Sequence, residues 1–277
     1  MADWRPNLNS RDRESPIIMG IVNVTPDSFY PNSRFVDPVR AVEKAVEMVS
    51  NGAMWVDVGG ESTRPGAKEL SEDEEIARLV PVIGGIRNKM PDALISVDTR
   101  KSEVASAALE AGADMVNDVS GLGDLKMIDI VVEHDCPICV MHMKGVPENM
   151  QLGPEYRDVV GEVREELAKS ANLLINRGLD PSMIVIDPGI GFGKNLEHNL
   201  ALLKAGRELV PDERMSLMWG VSRKSMFRDL LGRDSTEDRL PGSLGVAAIA
   251  KEKGVDILRV HDVKEHNDLF RAMASLR

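Results

Sequence analysis

A regular alternation constrains this chain more than any other feature. Eight short, continuously apolar runs are separated by longer amphipathic stretches: Pro16–Asn23, Met54–Gly60, Ala93–Thr99, Asp114–Ser120, Cys136–His142, Met183–Gly189, Met215–Ser222 and Asp256–Val263. A strand that is apolar on both faces needs cover on both faces, the condition of a parallel sheet under helices. Eight strand–helix units within 277 residues predict an α/β chain folded as one (β/α)8 barrel. A doubly wound open sheet is the alternative, but it more often has fewer strands and a glycine-rich first turn, which is missing here. The expected organisation is an N-terminal extension over residues 1–15 and a barrel over 16–277. The turn-rich stretch Lys144–Glu155 reads as a loop after the fifth strand, not as a domain boundary.

The amphipathic stretches carry their own punctuation. Asp37–Ser50 places Val39, Val42, Ala45, Val46 and Val49 on one helical face. Ser71 and Glu74 form the pattern of a capping box opening Glu72–Met90. Further helices are expected at Lys101–Glu110, Leu125–His134, Tyr156–Arg177, Leu196–Leu209, Ser225–Leu231, Ser243–Lys253 and Lys264–Ala274. Gly52, Gly112, Gly178 and Gly254 stand where a left-handed C-terminal cap is wanted.

Composition narrows the function classes. At 43% hydrophobic and 29% charged residues, the chain is globular rather than disordered. Its net charge of −11 argues against nonspecific binding to nucleic acid or anionic membrane. No apolar run approaches the roughly 20 residues of a membrane span. The N-terminus lacks the apolar core of a secretory signal, so a cytoplasmic location is expected. Cys136 and Cys139 have redox spacing, yet they belong to an apolar strand run and supply too few ligands for a structural zinc site.

In a barrel of this kind chemistry sits at the C-terminal ends of the strands. Those ends are polar throughout: Asn23, Asp57 and Glu61, Asp98, Asn117 and Asp118, His142, Asp187, Ser222 to Lys224, and Arg259 to Asp262. Charged groups at such a rim are costly unless paired or bound to something. Asp98, Asn117 and Asp187 suit a flat heterocycle with an amidine-like N–H edge, and Met141 suits a ring face. Lys224, Arg259 and His261 come from the last two strands, the usual phosphate corner, where Ser225 opens a helix. Asp57 is expected to brace Arg64 or nearby backbone. Alternation along a strand turns Asp118 and Asp262 away from the mouth. His134, His198 and His266 fall on expected helices and are taken as solvated. His142 either lines the mouth or supports the core.

These residues lie in strings that resemble dihydropteroate synthases. The strings are MGIVNVTPDSF (Met19–Phe29), VDVGGESTRPGA (Val56–Ala67), SVDTRK (Ser96–Lys101), VNDVSGL (Val116–Leu122), VMHMKGVPENMQ (Val140–Gln151), DPGIGFGK (Asp187–Lys194), GVSRKSM (Gly220–Met226) and LRVHDV (Leu258–Val263). They occur in family order across nearly the whole chain from Pro16. The resemblance implies a transferase of folate biosynthesis, in which 4-aminobenzoate displaces diphosphate from (7,8-dihydropterin-6-yl)methyl diphosphate. It implies that Asp98, Asn117, Asp187 and Lys224 hold the pterin. Arg259 and His261 would hold the diphosphate, Thr63 would reach it, and Asn23 would ligate Mg²⁺. The aminobenzoate slot would be formed by Phe29, Arg64, Pro65, Phe192, Lys224 and Ser225. Lys224, Arg259, His261 and Asp187 would carry the catalysis. A homodimer and sensitivity to sulfonamides are further implications.

The chain departs from the family pattern after NVTPDSF, where Tyr30-Pro31-Asn32-Ser33-Arg34 replaces the usual serine, aspartate and paired glycines. Pro31 stands at the position of the loop aspartate and stiffens that loop. Three other readings share parts of the signature. Pterin-dependent corrinoid methyltransferases would not need the SRKS and RVHDV strings. A related condensing enzyme would take a modified aminobenzene. A non-catalytic pterin-binding barrel would not need the anion ligands.

Overall fold

The computed structural model describes residues 8–25, 37–62, 69–145, 150 and 153–276. The strands are β1 (Ile17–Asn23), β2 (Trp55–Gly59), β3 (Leu94–Asp98), β4 (Met115–Asp118), β5 (Ile138–Met141), β6 (Ile184–Asp187), β7 (Ser216–Trp219) and β8 (Ile257–Val260). Each strand pairs in parallel with the next, and β8 closes on β1. The (β/α)8 barrel expected from the alternation is the fold, and every strand lies inside its expected run.

Nine helices lie outside the barrel among the described residues: α1 (Pro38–Ser50), α2 (Glu72–Lys89), α3 (Ser102–Glu110), α4 (Lys126–Glu133), α5 (Val159–Asn176), α6 (Leu196–Ala205), α7 (Met226–Leu231), α8 (Leu240–Ala250) and α9 (Val263–Ala274). Local chemistry sets their ends. Asp37 accepts from the Val39 amide and Pro38 opens α1. The capping box of Ser71 and Glu74 opens α2. Gly52, Gly112, Gly178 and Gly254 all have positive φ. Four expectations need correction. The buried face of α1 is Ala41, Val42, Ala45 and Met48, leaving Val39 exposed. Asp158 caps α5 through the Gly161 amide, so that helix starts at Val159 and not at Tyr156. The helix expected from Ser243 begins at Leu240, and α6 ends at Ala205 before a 3₁₀ turn.

Two apolar layers follow from strand alternation. The larger packs the helices on the outer face of the sheet. The smaller fills the lower barrel interior with Ile17, Met19, Trp55, Leu94, Met115, Cys139, Val185, Met218 and Ile257, closed from below by Leu8. Leu8 is 1% exposed, so the described part of the N-terminal segment is a stopper to the barrel floor. Above this layer the inward positions turn polar. Parallel register aligns Asn23, Gly59, Asp98 and Asn117 in one row across four neighbouring strands. The next row brings Met141 beside Asp187.

Candidate active site

An arginine buried among acids anchors the mouth. Arg259 donates from Nε to Asp57 and from Nη2 to Asp98, both at 2.5 Å. Asp57 is fully buried and also accepts from Asn117 Nδ2 at 3.1 Å. Burial works against the Arg259 charge, and Asp57 and Asp98 more than reverse it, so its pKa lies above the ordinary value. Burial pushes the Asp98 carboxyl up, against the pull of Arg259. Asp57 therefore braces Arg259 and Asn117; Arg64, which with nearby backbone was the partner expected from sequence, lies outside the described residues. The buried oxygens Asn117 Oδ1 and Asp57 Oδ1 have no hydrogen-bond partner among the described residues.

The β6–α6 loop supplies the next group. Gly189 has φ +66° and donates its amide to Asp187 Oδ1 at 2.8 Å. A Cβ at Gly189 would collide with the His142 carbonyl oxygen, so the tight path past β5 requires glycine. Asp187 Oδ2 lies against Gly220 at the end of β7. Burial raises the Asp187 pKa, opposed by its Gly189 bond, Lys224 and Arg259. The same loop carries Phe192, whose ring centroid is 3.8 Å from Lys224 Nζ. Burial lowers the Lys224 pKa to about 8, with Asp187 and Asp98 opposing and Arg259 adding. Asp187, Asp98, Lys224 and Arg259 thus act on one another's charge in one mouth.

Lys224 follows a backbone turn in which Arg223 takes φ +56°, uncommon for a non-glycine residue. The turn is held from several sides. Arg223 pairs with Asp262 through two nitrogens, its amide donates to Ser243 Oγ at 2.8 Å, and Arg239 donates to its carbonyl at 3.2 Å. Asp262 faces away from the mouth, as alternation predicted, and so does Asp118, which caps the Ser120–Leu122 turn. His261 sits over Ser222, with Nδ1 3.0 Å from its hydroxyl. Burial, then Arg259, lowers its pKa to about 4, so His261 is neutral at pH 7. Ser225 is exposed at the start of α7.

Asn23, Asp98, Asn117, Met141, Asp187, Phe192, Lys224, Ser225, Arg259 and His261 all belong to this end of the barrel. Phe29, Thr63, Arg64 and Pro65, and the loop around Pro31, lie outside the described residues. His142 proves to be core support: it is buried, and Lys194 Nζ stands 2.9 Å from its Nδ1. Its Nε2 lies 2.9 Å from Glu166 without hydrogen-bond alignment. One of the helix histidines taken as solvated is not, and a second is only half-buried. His266 is buried with Nδ1 on the Asp262 carbonyl, and His198 closes the N-terminal cap of α6 with Asn195. Asp57 and Lys194 were not singled out as site residues. The signal for Lys194 was its place at the end of DPGIGFGK. Both cysteines are free and buried, and burial pushes the Cys136 thiol up to about 12.

The fold and this mouth, with an acidic row beside a cationic corner, define a pterin-binding barrel. The family described as "Pterin binding enzyme" matches residues 19–261. The chain is 42% identical to dihydropteroate synthase of Escherichia coli (strain K12), over 95% of this chain and 93% of that one. Its structure resembles Yersinia pestis dihydropteroate synthase in complex with a sulfonamide drug, with TM-score 0.88, 39% identity, and 95% and 94% of the two chains covered. It also resembles Xanthomonas albilineans dihydropteroate synthase with 4-aminobenzoic acid, with TM-score 0.87, 37% identity, and 95% and 93% covered. The chain belongs to the dihydropteroate synthase family. No helix among the described residues is long and apolar enough to cross a membrane.

Proposed function

We infer that this chain condenses (7,8-dihydropterin-6-yl)methyl diphosphate with 4-aminobenzoate to give 7,8-dihydropteroate and diphosphate for folate biosynthesis. One observation carries the reading: acceptors for a flat nitrogenous ring and cations for an anionic tail converge at one barrel mouth. Asp187 Oδ2 and Asn117 Oδ1 face the pterin edge, and Asp98 joins them, drawn toward Arg259. Met141 and the plane of Arg259 flank the ring. Lys224 holds the pterin and borders the diphosphate end, which Arg259 and neutral His261 bind and Thr63 reaches. Phe192 and Ser225, with Phe29, Arg64 and Pro65, form the aminobenzoate slot, where a sulfonamide would compete.

The carbon–oxygen bond to diphosphate breaks with its electron pair leaving on oxygen, and Arg259 and Lys224 stabilise that charge. The electron-rich dihydropterin holds the cation at its methylene carbon. The aniline nitrogen, unprotonated at neutral pH, then forms the new carbon–nitrogen bond and loses its proton to water. Positioning and electrostatics supply most of the acceleration. Mg²⁺ fits this mouth as an ion carried with the substrate. Among the described residues no cluster of three His, Cys, Asp or Glu side chains could hold a metal, whereas Asn23 offers one hard oxygen. Such an ion takes one or two protein ligands besides substrate phosphates and water. When bound, it would neutralise the departing diphosphate.

We also assign a homodimer and a cytoplasmic location. The dimer face is drawn from α8, whose sequence LPGSLGVAAIA is apolar all round, with Ile249 at 43% exposure. Sedimentation of wild type and Ile249→Glu tests the dimer. For the reaction, diphosphate release from the pterin diphosphate is measured with Mg²⁺, with and without 4-aminobenzoate. Amine-dependent release is expected, and release indifferent to the amine would contradict the assignment.

A further inference from the structure

The β6–α6 loop is fastened from behind by a cation that none of these roles uses. Lys194 is 3% exposed. Its ammonium donates to the Phe192 carbonyl at 2.9 Å and the His142 carbonyl at 3.3 Å, and stands 2.9 Å from His142 Nδ1. All three partners are neutral groups. Asp187 and Glu166 favour its charge from a distance, while Lys224 and Lys144 oppose it. The loop around it is tightly built. Tyr156 donates its hydroxyl to the Gly193 carbonyl at 3.0 Å, and the Gly191 amide donates to Asn199 Oδ1 at 2.7 Å. A Cβ at Gly193 would run into the Lys144 carbonyl oxygen.

A lysine with these partners joins the end of β5 to the backbone of Phe192. Fixing that carbonyl fixes the residue whose ring meets Lys224 Nζ at 3.8 Å. We propose that Lys194 is a positioning residue: by clasping the Phe192 carbonyl and His142, it keeps the Phe192 ring against the Lys224 ammonium, setting the place and charge of Lys224 at the mouth. The catalytic consequence rests on the function assigned above; the link between clasp, ring and ammonium does not. Nor does the clasp depend on one protonation state. Burial lowers the Lys194 pKa to about 7 and that of His142 to about 3. As a neutral amine, Lys194 still donates two N–H groups to the carbonyls and accepts from His142 Nδ1.

The test compares full-length wild type, Lys194→Met, Phe192→Leu and the double variant. Acetylation of Lys224 by acetic anhydride, followed against pH by peptide mass spectrometry, reads its charge without any substrate. Lys194→Met and Phe192→Leu should each lower the Lys224 midpoint by up to about one pH unit. The double variant should move it no further than either single one. In turnover, Lys194→Met should lose roughly 10- to 100-fold in kcat. Lys194→Gln keeps a donor for the Phe192 carbonyl, serves if the methionine variant does not fold, and should move the midpoint less. An unchanged midpoint in either folded Lys194 variant, or additive shifts in the double variant, overturns the proposal. Wild type without amine-dependent diphosphate release would overturn the functional reading and leave the acetylation result standing.

Discussion

At the barrel floor, Asp256 spends both oxygens on structure. One accepts from the Ser10 amide at 2.9 Å; the other accepts from the Leu217 amide at 2.9 Å and pairs with Arg207. Asp114, at the start of β4, takes the Ile95 amide and Arg87 on one oxygen, while its other oxygen is buried without a partner among the described residues. At the mouth the accounting differs. Asn117 Oδ1 and Asp57 Oδ1 are buried with no partner among the described residues, and Lys224 meets an aromatic ring. The floor uses charge to tie chain segments together; at the mouth Arg259 is tied to Asp57 and Asp98 as well, and Lys224 faces a ring. Neither buried charge nor a single unpaired oxygen is therefore a marker of function on its own; what separates the two ends is that at the mouth two such oxygens, on the hydrogen-bonded neighbours Asp57 and Asn117, stand beside the cationic corner.

The largest expected effect separates the ends by activity. Lys224→Ala should lower kcat/KM by roughly 10²- to 10³-fold, with a melting temperature equal to or above wild type, because an ammonium kept by burial at a pKa of about 8 is removed. Steady-state kinetics with calorimetry checks both halves. Asp256→Ala should do the reverse, costing about 3 kcal/mol in urea unfolding while turnover per folded molecule stays near wild type. Leu8→Ala, at a residue 1% exposed, should cost about 2 kcal/mol through the cavity it leaves, again without changing turnover.

The smallest effect is a pH response. The Lys224 pKa lies below its unfolded value, so the native state binds fewer protons between about pH 8 and the ordinary lysine range. Its contribution to stability is unfavourable below that window and relieved as pH rises through it. Activity runs the opposite way, since diphosphate needs the ammonium: kcat/KM should fall above about pH 8. Lys224→Arg should carry that limb to higher pH, as the pH–rate profile will show.

The alternation of apolar runs gave the barrel, because strand burial on two faces is a local property of sequence. The acidic row was legible for the same reason: Asp98 and Asn117 end their own strands, and parallel register does the rest. Partner choice was not legible. Asp57 meets Arg259 across 202 residues of chain, and that pairing depends on closure of β8 onto β1. The clasp of Lys194 on His142 likewise exists only once β5 and β6 are neighbours. On α1, period counting favoured Val39, but the helix rolls to bury Met48. His266 sits on a helix that presents it to the core, and a histidine's spacing alone does not say which face it occupies.

If the assignment holds, one small molecule bridges Asp187 and the cationic corner. Titration calorimetry of a 6-hydroxymethyl pterin and of diphosphate, separately, with wild type and Asp187→Ala, tests it most directly. Pterin affinity should fall at least about tenfold while diphosphate affinity stays within about a factor of two. Equal pterin affinity in the two proteins would contradict that bridging.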